Sequence, residues 1–187
     1  MNFNEVVSEV VGIVKRPDLV NNIRREVNAA VSHFCSDGNF VQDRVETVVT
    51  ISSTELVQTV LMTEFPRWRK FWYIKRASTN EYLDKLNENS LGRNVCDLRD
   101  RYYVAGGNLR ISMTKTAAQL DVGFYQMPNL LTGTDTFWML DILPYMVIDR
   151  AAGKIFASVG EDGDARRHEG YAIAAFNAFK NDRETTV

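Results

Sequence analysis

The chain carries few of the residues on which most site chemistry is built. Its 187 residues include two histidines, His33 and His168, and two cysteines, Cys35 and Cys96. Neither histidine stands at a telling spacing from a second ligand or a nucleophile, so a histidine-based metal centre has no signature here. His33 beside Phe34 reads as packing at a helix edge, and His168 after Arg166 and Arg167 as part of a solvated helix face. There is no CxxC spacing, and the cysteines read as a reduced pair in a cytosolic protein rather than as a disulfide. A thiol nucleophile at Cys35 would lack the third, orienting group that such a site needs.

Long apolar runs are missing too. None approaches the roughly 18 residues of a membrane span, and the first residues interleave valines with Glu5, Glu9, Lys15 and Arg16, unlike a signal peptide. Charge of one sign is also absent: 22 basic residues against 24 acidic leave a net charge of -2, which argues against general affinity for nucleic acid. Gly106-Gly107 has neither the GxGxxG pattern nor a P-loop lysine. The acidic stretch Gly160-Glu161-Asp162-Gly163-Asp164 is shorter than a calcium-binding loop and lacks its closing bidentate glutamate, so it reads as a helix-breaking turn. The sequence therefore predicts no catalytic set, no metal site and no cofactor.

What remains is a chain that is 45% hydrophobic and 25% charged, enough for one domain with a real core. Its organising stretch is 138–180. Ile142, Tyr145, Ile148, Ala152, Ile155, Phe156 and Val159 recur at helical spacing, with Pro144 near the start; Gly160 and Gly163 stop that helix. A second helix carries Tyr171, Ala175, Phe176 and Phe179 on one stripe. Small residues such as Ala151, Ala152, Gly153 and Ala172 let the two backbones approach closely.

Nearer the start, Asn4 caps a valine-striped helix through Val14, and Pro17 opens a second helix that Gly38 ends. From Arg44 the period changes to two, with Val45, Thr47, Val49 and Ile51 on one side of a strand. Residues 52–65 fit helix or strand equally. The stretch 69–78 is a strand with Phe71, Tyr73 and Lys75 on one side, and 79–90 a short polar helix with a loop at Asn87 and Asn89. A turn at Gly106-Gly107-Asn108 leads to alternation at Leu109, Ile111 and Met113, then at Leu120, Val122 and Phe124. The resulting fold class is α+β: a helical bundle of two N-terminal and two C-terminal helices with an inserted antiparallel β-sheet of about four or five strands. Residues 4–37 and 138–180 make the helical core, 44–127 a mainly β insertion, and 181–187 a mobile polar tail.

One segment is suggestive. Residues 65–76 interleave Arg67, Arg69, Lys70, Lys75 and Arg76 with Phe65, Trp68, Phe71, Trp72 and Tyr73. Three readings stand side by side: a strand with aromatics inward and cations outward, a subunit or partner contact, or a nucleic-acid-binding module that stacks bases on aromatic rings.

The order of segments adds a resemblance. NEVVSEVVGIVKRPDLVNNIRREVNAAVSHF (4–34), FPRWRKFWYIKR (65–76), RYYVAGGNLRI (101–111) with QLDVGFYQMPN (119–129), and WMLDILPYMVIDRAAGKIFASVGEDGDARRHEGY (138–171) resemble, in collinear order, the segments of head–tail adaptor (head-completion) proteins of short-tailed bacteriophages. The resemblance implies a structural virion protein, not an enzyme. Such a protein forms a ring of about 12 copies beneath the portal. It extends the DNA channel without sequence-specific binding and docks the tail (nozzle) protein. It also implies that Phe179, Lys180, Asn181, Asp182, Arg183, Glu184, Thr185, Thr186 and Val187 dock on the portal. Phe65, Arg67, Trp68, Arg69 and Trp72 are the expected subunit or tail contact. The expected location is the virion, and the host cytoplasm during assembly.

Overall fold

The structure, a computed structural model, describes residues 1–86 and 99–184. It is mixed α and β, with five α-helices and two sheets among those residues. Contacts divide the chain into two compact units, Met1–Gln42 with Pro128–Val187, and Asp43–Met127.

In the first unit, α1 (Phe3–Val14) buries Phe3, Val6, Val7, Val10 and Val14. Its cap is Asn2, not the expected Asn4. Asn2 Oδ1 accepts from Glu5 N at 3.0 Å and Asn2 N donates to Glu5 Oε2 at 2.9 Å, a reciprocal pair that Asn4 could not form. Pro17–Leu19 is a single 3-10 turn leading into α2 (Val20–Asp37), which buries Ile23, Val27, Ala30, Val31, Phe34 and Cys35. Asn28, on the polar side of α2, clasps the connector to the C-terminal helices. Leu131 N donates to its Oδ1 at 2.7 Å, and its Nδ2 donates to Leu131 O at 3.0 Å.

The helix expected over 138–159 is two, α3 (Trp138–Ile142) and α4 (Pro144–Ser158). Leu143, forced out of the helical region by the following proline, sits at φ -133° and breaks the phase. Ile142 and Tyr145 are consequently 50% and 70% exposed, while Met146, Val147, Ile148, Ala151, Ala152, Ile155 and Phe156 are buried. Gly160 takes a positive φ of 84°, but Gly163 does not stop a helix: it lies within α5 (Asp162–Glu184). On α5 the buried positions are Ala165, His168 and Ala172, and the expected Tyr171 is 55% exposed. The close approach expected of the small residues occurs at Gly153, where an added Cβ would stand 3.1 Å from Ala165 O and 3.2 Å from Glu169 N. Helix α5 extends to Glu184, and Phe176 and Phe179 anchor its later turns against Phe34, Phe40 and Trp138. Residues 185–187 lie outside the described residues.

The second unit differs from the single sheet expected. Strands β1 (Arg44–Thr50), β2 (Val57–Leu61), β3 (Trp68–Arg76), β4 (Asp84–Lys85), β5 (Arg101–Ala105), β6 (Asn108–Ser112) and β7 (Gln119–Gln126) form two sheets, ordered β1-β7-β3 and β2-β6-β5-β4. All pairings are antiparallel except β4 with β5. The break falls at 51–56. There the buried Gln58 side chain donates to Ser52 O at 2.9 Å and to Glu55 O at 2.8 Å, turning the chain before β2 can pair with β1. Val49 and Val60, Phe71 and Ile74, Leu109 and Ile111, and Leu120, Val122 and Phe124 contribute to one core drawn from both sheets.

Two further readings need correcting. Residues 79–86 are not helical. Tyr82 bridges Lys75, Leu83 N donates to Ile74 O at 2.8 Å, and the Leu83 side chain enters the core. Asn87 and Asn89 lie outside the described residues, as does Cys96. Nor do Phe71 and Tyr73 share a side of β3, since a register shift between them moves the buried set to Phe71, Ile74 and Arg76. The Arg76 guanidinium, 1% exposed, is held by Glu81 and Asp100 and donates to Thr114 Oγ1 at 3.3 Å.

Candidate functional site

The β1-β7-β3 sheet turns its apolar residues to the core, so its other side collects what the alternation leaves over. Register puts Arg44 opposite Tyr125 and Glu46 opposite Gly123 on one flank of β7, with Lys70, Tyr73 and Lys75 opposite Tyr125, Gly123 and Asp121 on the other. The Arg44 guanidinium lies 4.1 Å from the Trp72 ring centroid and 5.7 Å from that of Tyr125. It donates through Nε to the Tyr125 hydroxyl at 3.3 Å. Arg69 approaches the Tyr125 ring at 5.1 Å. Two cations thus hold one buried tyrosine, and Trp72, 44% exposed, is the outermost ring of the set.

Beside this group Tyr73 lies over Gly123. An added Cβ at Gly123 would come within 2.5 Å of the Tyr73 ring, so only glycine leaves room. Burial, and a hydrogen bond to the Glu46 carboxylate, push the Tyr73 phenol up to about 12. Tyr82 meets the Tyr73 ring at 5.9 Å, and Lys75 pairs with Asp121 at 3.5 Å. The face therefore alternates rings, cations and carboxylates.

The sequence candidates separate. Trp72 and Arg69 join this face. Phe65, 1% exposed, is a core residue packed edge-on against Phe71 and Phe124, which takes it out of any surface contact. Trp68 leans on Phe71 at 5.2 Å and borders a small cleft of about 130 Å3 shared with Tyr102 and Lys85. Its Nε1 is buried with no acceptor among the described residues. Arg67, at a φ of 53°, donates to Met127 O at 2.8 Å and splices the start of β3 to the end of β7. Among the tail residues, Phe179 is stacked on Trp138 and packed against Phe40. Lys180 and Asn181 are exposed, Asp182, Arg183 and Glu184 belong to α5, and Thr185, Thr186 and Val187 are outside the described residues. Sequence reasoning missed Arg44 and Tyr125; the only signal was their place on alternating strands.

His168 is the other correction. Rather than solvated, it is 8% exposed, with Nδ1 2.7 Å from Asp149 Oδ1 and its ring stacked on Phe156. The pair fastens α5 to α4, next to the Arg150–Glu169 bridge at 2.9 Å. His33, half-buried, pairs with Asp37 at 3.5 Å and packs on Phe34. No group of three or more His, Cys, Asp or Glu among the described residues is arranged to hold a metal ion. No helix among them is long and apolar enough to cross a membrane. The sequence matches no protein-family model and no curated protein.

Proposed function

We propose that the chain is a structural assembly protein of the head–tail adaptor kind, a ring subunit placed between a phage portal and its tail. Its work is contact, not catalysis. In this reading the helices of residues 3–37 and 138–184 act as one bundle. The observation that carries it is the exposed Trp72 held between cationic and aromatic neighbours, the composition that protein interfaces favour over the rest of a surface. The collinear resemblance supplies the partners: portal, tail protein, and further copies in a closed ring of about 12. On this reading Arg69 and Trp72 lie at the subunit or tail contact, and the end of α5 from Lys180 onward docks on the portal.

The nucleic-acid alternative is disfavoured by the same geometry. Arg44 already covers one face of Trp72, and Tyr125 is 5% exposed, so at most one ring face of this group is open to a base, where single-strand surfaces line up several. Mass measurement of the protein alone and mixed with portal tests the proposal. The expected result is a small species alone and a ring on the portal. A protein that leaves the portal bare, yet retards single-stranded DNA with a steep salt dependence, overturns it.

A further inference from the structure

Among the described residues, the outer edges of β1 and β2 have no strand beside them, and both border one groove. Hydrogen bonds fix which residues point where. Met113 N donates to Leu56 O at 2.8 Å and Met62 N to Gly107 O at 3.1 Å. In the β2–β6 register the even-numbered residues therefore aim their backbone groups at β6, and Val57, Thr59 and Leu61 aim theirs away from it. In β1, Ile51 N donates to Ala118 O at 2.9 Å, so the odd-numbered residues face β7, and Val48 and Thr50 aim away. Neither β1 nor β2 has a second strand partner among the described residues. Between them lies a groove of about 540 Å3, walled by Val48 to Ser52 on one side and by Gln58 to Leu61 with Glu64 on the other. Consecutive residues line each wall. That is the signature of a strand's edge, because a strand's face presents alternate residues.

We propose that this groove is a slot for one extended segment of a partner polypeptide, which pairs with the β2 edge on one side and the β1 edge on the other. Three observations specify the occupant. The outward N–H and C=O groups of Val48, Thr50, Thr59 and Leu61 call for a backbone in strand conformation. Val48 and Leu61, one on each wall, are 58% and 59% exposed, so its side chains are β-branched or aliphatic at alternate positions. Among the described residues the one charge in the lining is Glu64, which is exposed, so the segment is uncharged within the slot and carries a lysine or arginine at the Glu64 end. Strand β2, Val-Gln-Thr-Val-Leu, has no charge, proline or bulge of the kind that shields edges from unwanted pairing. A second copy presenting its own sheet is a poorer fit, since a lone strand has two edges to offer and an edge strand of a sheet has one. The inference is independent of the adaptor reading.

The test is an NMR titration of the full chain with a synthetic peptide, Lys-Thr-Val-Thr-Val-Thr-Val, beside the same peptide N-methylated at alternate residues. The expected result is that the amides of Val48, Thr50, Val57, Thr59 and Leu61 shift and exchange at least about tenfold more slowly with the first peptide, and stay unchanged with the second. The variant Thr59→Pro removes one outward N–H and leaves the β2–β6 ladder intact, because that N–H points away from β6. It should fold, as a retained Leu109 and Ile111 amide pattern would show, and should bind the peptide at least about tenfold more weakly. Equal binding of the N-methylated peptide, or of Thr59→Pro, overturns the proposal. So does protection of these amides that rises with protein concentration in the absence of peptide, which would assign the slot to a second copy.

Discussion

The Arg44 guanidinium sits 4.1 Å from the centre of the Trp72 ring, and the two residues come from the two outer strands of a three-stranded sheet. The contact reaches across β7 and over Tyr125, so it ties together strands that share no hydrogen bond. A cation over a half-exposed indole contributes about 0.5–1 kcal/mol. Trp72→Ala and Arg44→Ala should each lower unfolding stability by about 1 kcal/mol, with a coupling of about 0.5 kcal/mol in the double variant, measured by urea denaturation. Strict additivity would show that the two side chains act independently. If the adaptor reading holds, Trp72→Ala also weakens ring assembly while remaining folded.

Tyr73 gives the unit an alkaline limit. With the folded phenol at about 12 and an unfolded value near 10, the unfolded state loses its proton first as pH rises. The stability is therefore fully present below about pH 10 and is lost between about pH 10 and 12, by up to roughly 1–2 kcal/mol for a partly solvated ring. Tyr73→Phe should abolish that part of the alkaline decline, followed as the difference in urea midpoint across the window.

Gly123→Ala should act through the same ring. Its Cβ would fall within 2.5 Å of Tyr73, and the ring must swing outward, at a cost of about 1–3 kcal/mol. Ultraviolet titration of the phenolate would then find Tyr73 closer to its ordinary value. An unmoved titration would mean the backbone had yielded instead.

Among the described residues of the β unit, Arg76 is the most deeply buried charged side chain. Arg76→Met takes from Asp100 and Glu81 the cation they share, though Glu81 keeps Lys115; with both carboxylates partly exposed the loss should be about 1–3 kcal/mol, and adding Glu81→Gln and Asp100→Asn should recover much of it. The Glu81 carboxyl is held below the usual range, first by the Thr79 hydroxyl and also by Lys115 and Arg76. Its contribution is present at neutral pH and disappears as pH falls through the folded value. Circular dichroism during urea and acid titrations reads both effects.

Asp149→Ala should strand the His168 ring. Nδ1 would then be buried without its carboxylate partner, a loss of about 1–3 kcal/mol. Asp149→Asn, which keeps a hydrogen-bonding group at the same place, should lose less in a thermal melt.

Much of the strand content was legible because alternation is local: Leu109, Ile111 and Met113 are buried as their period demands, as are Leu120, Val122 and Phe124. Strand β3 was misread at the position where a bulge resets its phase. Residues 79–86 look helical because they are polar, but Leu83 is drawn inward by its backbone bond to Ile74. His168 was misjudged from two neighbouring arginines, although the spacing of Ala165, His168 and Ala172 marks one helix face. Half of the candidate face, Trp72 and Arg69, was visible in one segment. Its other half was not, because Arg44 and Tyr125 are 81 positions apart and meet only through a strand order that no local pattern encodes.

The clasp between Asn28 and Leu131 sets an order of events during synthesis. Helix α2 leaves the ribosome about a hundred residues before the backbone that satisfies its asparagine, and the buried stripes of α1 and α2 wait equally long for α4. The whole β unit emerges in that interval as one uninterrupted stretch. A chain released near residue 127 would therefore hold every strand of the β unit but leave the stripes of α1 and α2 with only each other for cover, the state in which a chaperone has most to hold.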